Sequence, residues 1–233
     1  MIEWILLAFM SFLPPLIYMV WIRNTEKYHR ERWKPILLCF LWGASIAIIA
    51  AVILEVILGF SLAISIHNSS MIPLLTVIVV APIAEEFTKP LALRLKSVKK
   101  EIDELEDGLI YGAVAGLGFS ATENLLYGVS FFSKGLLVFF LLIIMRSFGG
   151  CLLHASATAW TGYGYGQTIM KHASFIRIIP YFALAIFVHG FYNFLVTFDG
   201  IGVLAGLAAA FSFVLISITI VRRKIRTLDE QSG

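Results

Sequence analysis

Residues 71–93 read MIPLLTVIVVAPIAEEFTKPLAL. An apolar stretch of about twenty residues, at 1.5 Å rise each, has the length of one bilayer crossing. This one also carries Glu85, Glu86 and Lys89 between two prolines, Pro82 and Pro90. It is either a core helix of a large soluble protein or a membrane span with charges buried in it. The rest of the chain decides for the membrane. Of 233 residues, 59% are hydrophobic and 14% charged, whereas soluble domains run near half and a quarter. The mean hydropathy of +0.88 agrees.

Seven such runs follow one another: Ile2–Ile22, Pro35–Gly59, Met71–Leu93, Gly108–Phe131, Gly135–Gly162, Ile176–Phe198 and Ile201–Val221. The expected fold class is all-α, a polytopic transmembrane helical bundle of about seven spans. One integral membrane domain covers residues 1–233, with the motif-bearing spans within 71–198. No repeat or soluble domain interrupts it. Apart from Lys134, and from Lys89 and Arg146 inside runs, the Lys and Arg residues fall in alternate loops and the tail. The positive-inside rule then predicts the N-terminus outside and the C-terminus cytoplasmic. That distribution also argues against nucleic acid as the reason for the net charge of +3. The basic cluster follows the first apolar run instead of preceding it, so that run is expected to be a permanent span rather than a signal peptide. Cys39 and Cys151 lie inside runs and are expected to be packing residues. The polar stretch KKEIDELED, residues 99–107, is expected to be a solvated helix end leading into the next span.

A charge at mid-bilayer costs at least ~2.5–3.5 kcal/mol, so intramembrane charges pair or work. Here they are Glu55, Glu85, Glu86, Lys89, Glu123, Arg146, His154 and His189. Glu55 lies near an outer end and is expected to reach the interface. Glu85 and Lys89, four apart, share a helix face. Glu86 points about 100° away, so one glutamate is expected to pair with Lys89 while the other faces a different partner. Gly108, Gly112 and Gly116 form a stripe that lets another helix approach closely. Phe119, Glu123 and Asn124 follow on the same span. Arg146 is the natural counter-ion for a buried glutamate. His189 and Asn193, four apart, can face one partner together. Charges on successive spans are expected to share one site. By straight-helix geometry Glu86 and Glu123 differ in depth by about 18 Å. They meet only if the third run enters late, the fourth begins as a cytoplasmic helix, or both tilt.

Carboxylates with imidazoles suit water activation, the glutamate as general base and the histidine as proton carrier. Histidine or Asn193 can also donate to a developing oxyanion. Alternatively, histidines and a glutamate can hold zinc, which lowers the pKa of bound water to about 7. HExxH spacing is absent, so a metal site must be assembled from different spans.

The motifs EExxK (Glu85-Glu86-Phe87-Thr88-Lys89), FxxxE (Phe119 to Glu123), His154 and HxxxN (His189 to Asn193) resemble those of the PrsW family of intramembrane proteases. That family is distantly similar to the CAAX-protease and bacteriocin-processing group. CAAX proteases carry a histidine where Glu123 stands, which favours PrsW and argues against a prenylated substrate. The resemblance spans roughly Pro82 to Asn193. It implies hydrolysis of a membrane-anchored protein, such as an anti-sigma factor, at the cell membrane. Carried over by motif, Glu85, Glu86, Glu123, His154, His189 and Asn193 are the catalytic candidates. Lys89 and Arg146 are supporting counter-ions. Glu123, His154 and His189 are the metal ligands if zinc is used; metal-free water activation is slightly favoured. The competing readings are a non-catalytic scaffold of the same fold and a proton-coupled transporter, the latter lacking an inverted repeat.

Overall fold

The computed structural model describes residues 2–66 and 70–232. Among these no strand occurs, and the chain runs through seven long helical passages. They are α1 (Ile2–Arg23), α2 (Trp33–Ser65), α3 (residues 72–94), α4 (Leu105–Phe132), α5 (Leu136–Met170), α6 (Ile179–Thr197) and α7 (Val203–Ser232). Five of them, α1, α2, α5, α6 and α7, are long and apolar enough to cross a membrane. Their outward faces carry large exposed apolar side chains, such as Ile49, Val52, Ile53 and Val56 on α2, the surface that lipid requires.

The other two passages differ for visible reasons. α3 is a chain of short pieces: Ile72–Leu75, a π-helical turn Thr76–Val80, Ala81–Thr88, and a 3-10 turn Lys89–Arg94. Pro82 and Pro90 each sit at the start of a piece, where a missing N–H costs least. α4 is rich in glycine, alanine and polar side chains, and every residue from Glu106 to Ala121 is buried. A helix buried all round is a core element, and α4 is the axle of this bundle, packed against α1, α2, α3 and α5.

The glycine stripe does what its spacing predicts. A Cβ on Gly108 would meet the Gly162 carbonyl of α5, one on Gly112 the Thr158 carbonyl, and one on Gly116 the His154 carbonyl. On the opposite face Gly118 meets the Phe40 carbonyl of α2, and Gly43 of α2 meets the Ala115 carbonyl. α4 is therefore in backbone contact on two sides, which sets its height against α5. Phe119 and Glu123 follow at the level of His154. The depth mismatch expected for Glu86 and Glu123 is absent: Glu123 bonds His154 directly, and Glu86 reaches the same histidine through the Lys89 ammonium. α4 starts at Leu105, ahead of Gly108, and α3 is not one straight helix.

The expectation for residues 99–107 needs correction. Ile102, Glu106 and Asp107 are buried. Glu104 and Asp107 cap α4 reciprocally, the Asp107 carboxylate accepting the Glu104 N–H at 2.7 Å. Tyr111 donates to Glu31 from the loop after α1. The stretch is an inward-facing cap, because α4 enters the bundle with its first turn already covered. Cys39 and Cys151 are free, buried thiols, as expected.

Gly116→Ala should lower the melting temperature in detergent, by an amount equivalent to about 1–3 kcal/mol of overpacking. Gly59→Ala, whose Cβ meets nothing within 4 Å, should be neutral or slightly stabilising. Equal melting of the two variants would refute the backbone-contact account.

Candidate active site

The α-helical part of α3 ends at Thr88, and Lys89 opens the tighter 3-10 turn. The Lys89 side chain is fully buried and lies over the Phe119 ring, 4.4 Å from its centre. An ammonium has three N–H donors, and all three are used. Nζ is 2.8 Å from Glu85 Oε2, 2.8 Å from Glu86 Oε1 and 2.8 Å from His154 Nδ1. The sequence reading gave Lys89 one glutamate. It holds both, since residues three and four back lie on one face.

These bonds fix the histidine tautomers. His154 Nδ1 accepts from the ammonium, so its proton sits on Nε2 and is donated to Glu123 Oε2 at 2.7 Å. His189 Nδ1 lies 2.9 Å from Glu86 Oε1 and donates to it, which leaves Nε2 as a free acceptor. Thr158 donates to Glu86 Oε2 at 2.8 Å. Glu123 is paired with Arg146 at 2.7 Å, and Arg146 Nε donates to Asn124 at 2.7 Å. Arg146 also covers the Tyr127 ring at 4.2 Å.

The structure thus brings Glu85, Glu86, Glu123, His154 and His189 into one network with Lys89 and Arg146 as its cations. Asn193 stands at the margin, its Nδ2 donating to the Val77 carbonyl at 2.9 Å in the π-helical turn of α3. Gly190, beside His189, permits that approach by packing on the Ile78 carbonyl. A cavity of about 440 Å³ opens among these helices, lined by Glu85, Glu123, His154, His189 and Asn193. Glu86 is fully buried behind them. Glu55, expected at the interface, lines the same cavity, as do Tyr127 and Tyr192. Thr158 was visible in the sequence only as part of a small polar run; nothing there announced its bond to Glu86.

Metal-ligand chemistry fits this site in kind. One donor atom each from Glu85, Glu86, His154 and His189 lie within 4.8 Å of one another, and two imidazoles with carboxylates suit zinc. Glu123, expected as a ligand, is outside that group and bonds His154 from behind. In the arrangement seen, Lys89 Nζ takes up three of the four residues' donor atoms.

Removing one partner from a buried ion cluster leaves unpaired charge, at about 3–5 kcal/mol. Lys89→Met should therefore strongly destabilise the chain. Adding Glu86→Gln to it should recover part of the loss, because one of the two stranded carboxylates is then neutral. A double-mutant cycle by denaturation in detergent reads this; strict additivity would contradict it.

A family profile described as "PrsW family intramembrane metalloprotease" matches residues 31–221. The chain is 31% identical over 122 residues to "Protease PrsW" of Clostridioides difficile (strain 630). That match covers 52% of this chain and 50% of the relative, about half the length of each. No solved structure matches. With five apolar helices long enough to cross a bilayer around a buried Glu/His/Lys cluster, the chain is a multi-pass membrane protein and belongs to the PrsW family of intramembrane metalloproteases.

Proposed function

We propose that this chain is an intramembrane endopeptidase that hydrolyses a peptide bond of a membrane-anchored protein, with Glu85 as the general base. The observation that carries the reading is the gap between Glu85 Oε2 and His189 Nε2. The two atoms are 3.9 Å apart on the wall of the cavity. A polar gap of that width, too long for a hydrogen bond, suits a bridging water.

Each neighbouring residue has a role that follows from its bonds. Glu85 takes the proton of the attacking water, and Lys89 holds its carboxylate in place. Glu86 orients His189 through Nδ1, so that Nε2 faces the cavity; in this reading it is a positioning residue. The proton taken up by Glu85 passes to His189 Nε2 across the 3.9 Å gap, and His189 delivers it to the leaving amine, which regenerates both groups. Asn193 spends one N–H on Val77 and keeps a second for the carbonyl oxygen that becomes an oxyanion. Glu123 and Arg146 fix His154 from behind. Held by Glu85, Glu86, His154 and His189, a zinc ion would supply a bound water of pKa near ~7. Loading such a site requires the Lys89 ammonium to move off its three acceptors.

The same reading takes all seven helical passages as spans, with the basic loops on the cytoplasmic side. The substrate is then a single-span protein, an anti-sigma factor being the class that the motif resemblance implies.

Purified protein in liposomes with a single-span substrate tests this. Glu85→Gln should lower turnover at least ~100-fold with little change in KM, the size of effect general bases supply. His189→Ala should do comparable damage. Folded variants that cut like wild type would overturn the assignment of Glu85 and His189, and a folded wild type that cuts no single-span substrate would favour the non-catalytic scaffold. Turnover that survives exhaustive chelation, with no metal found in the protein, would remove the zinc option and keep the glutamate.

A further inference from the structure

A second cluster of carboxylates lies at the opposite, basic end of the bundle, where the loop after α1 meets the first turn of α4. Glu26 is fully buried. Its Oε2 accepts the Glu31 N–H at 2.9 Å, and its Oε1 has no partner. Glu104 Oε2, also shielded from solvent, is without a partner too. Carboxylate oxygens of Glu26, Glu104 and Asp107 lie within 4.8 Å of one another. Glu26 is shared with a second group of the same width, formed with Glu106 and Asp229.

Cationic side chains are close, yet they do not neutralise this centre. Arg30 Nε donates to the Glu26 backbone carbonyl, and Arg23 Nε donates to the Glu31 carbonyl. Lys27 and Tyr28 contribute only backbone N–H groups, to Asp229. His29 reaches Glu104 Oε1 at 3.1 Å from an exposed position. Among the described residues no Lys or Arg pairs with the carboxylates of Glu26 or Asp107. Burial pushes the Glu26 carboxyl up to about 8. This is the strain expected of crowded acids that lack a counter-charge.

We propose that Glu26, Glu104 and Asp107 form a binding site for a hard divalent cation, Ca²⁺ or Mg²⁺. The donors are all oxygen, which suits those ions and not zinc or copper. The two partnerless oxygens, one of them on a fully buried residue, supply the ligand atoms that nothing else uses. Asp107 keeps its capping bonds to the Asp103 and Glu104 N–H groups, so its carboxylate is pre-oriented before the ion arrives. Bound there, the cation ties the loop after α1 to the start of α4, the helix whose far half carries Glu123. Nothing in this proposal depends on the protease reading.

The test uses the full chain, purified in detergent and stripped with a chelator. Calorimetric titration with CaCl₂ or MgCl₂ should show one saturable site per chain, and the same ion should raise the melting temperature. The ion with the tighter isotherm names the occupant. Glu26→Gln and Asp107→Asn should weaken binding at least about tenfold, as loss of metal-site groups does. Glu86→Gln, in the intramembrane cluster, should leave it unchanged. Should Glu26→Gln fail to fold, the partly exposed Glu104→Gln takes its place beside wild type and Glu86→Gln. Absence of saturable binding of either ion at millimolar concentration overturns the proposal. So does binding that survives Glu26→Gln or Glu104→Gln, or that is lost in Glu86→Gln.

Discussion

One buried ammonium organises this molecule. Lys89 has no contact with solvent and donates its three N–H groups to Glu85, Glu86 and His154. An isolated ion of this kind is costly in a low-dielectric setting, so the lysine is tolerable only where all its acceptors converge. Those acceptors come from α3 and α5, and Glu86 extends the network to His189 on α6. Since the ammonium donates to His154 Nδ1, it also decides which nitrogen of that ring is protonated, and hence that Glu123 is an acceptor on the far side. The chemistry of the cavity wall follows from that single charge.

The bundle is shaped to deliver those groups to one level. α4 touches α5 and α2 backbone to backbone through Gly108, Gly112, Gly116 and Gly118. Close contact of that sort fixes height and rotation more tightly than large side chains do, because there is no flexible side chain to absorb a shift. α3 solves a different problem. Its π-helical turn, Pro82, Pro90 and its terminal 3-10 turn break the passage into short pieces, and Thr76, Val77, Ala81 and Glu85 of those pieces line the cavity. Asn193 and Gly190 of α6 secure the π-helical turn, bonding the Val77 carbonyl and packing on the Ile78 carbonyl. The HxxxN spacing therefore places a cavity-facing histidine and a backbone anchor on adjacent turns of one helix.

Much of this was legible in the sequence, and the gaps have physical reasons. The apolar runs, the glycine stripe and the four motifs are local patterns, and local patterns survive in a linear reading. Convergence of Glu85, Glu86, Glu123, His154 and His189 was legible because deep charges must face one another. The sharing of Lys89 by both glutamates was legible in principle from the three- and four-residue spacings, but the angle between adjacent side chains was given too much weight. That Glu55 lines the cavity was not legible, because distance from a span's end does not tell which way a side chain turns. The acid cluster around Glu26 was not legible at all. It joins the loop after α1, the start of α4 and the end of α7, and its residues read as the ordinary charges of exposed loops. Span number is an intermediate case: five helices are long and apolar enough to cross a membrane, while α3 is broken into short pieces and α4 is polar and buried.

The two clusters make an instructive pair. In the intramembrane one a lysine is supplied by the chain itself and holds two carboxylates at once. In the other, among the described residues, no Lys or Arg pairs with the carboxylates of Glu26 or Asp107. The central claim is that the Lys89 network sets the histidine tautomers and leaves His189 Nε2 open to the cavity. ¹⁵N NMR of the histidine-labelled protein at neutral pH tests it most directly. The account predicts a neutral His154 protonated at Nε2 and a neutral His189 protonated at Nδ1. The opposite tautomer at either ring would contradict it.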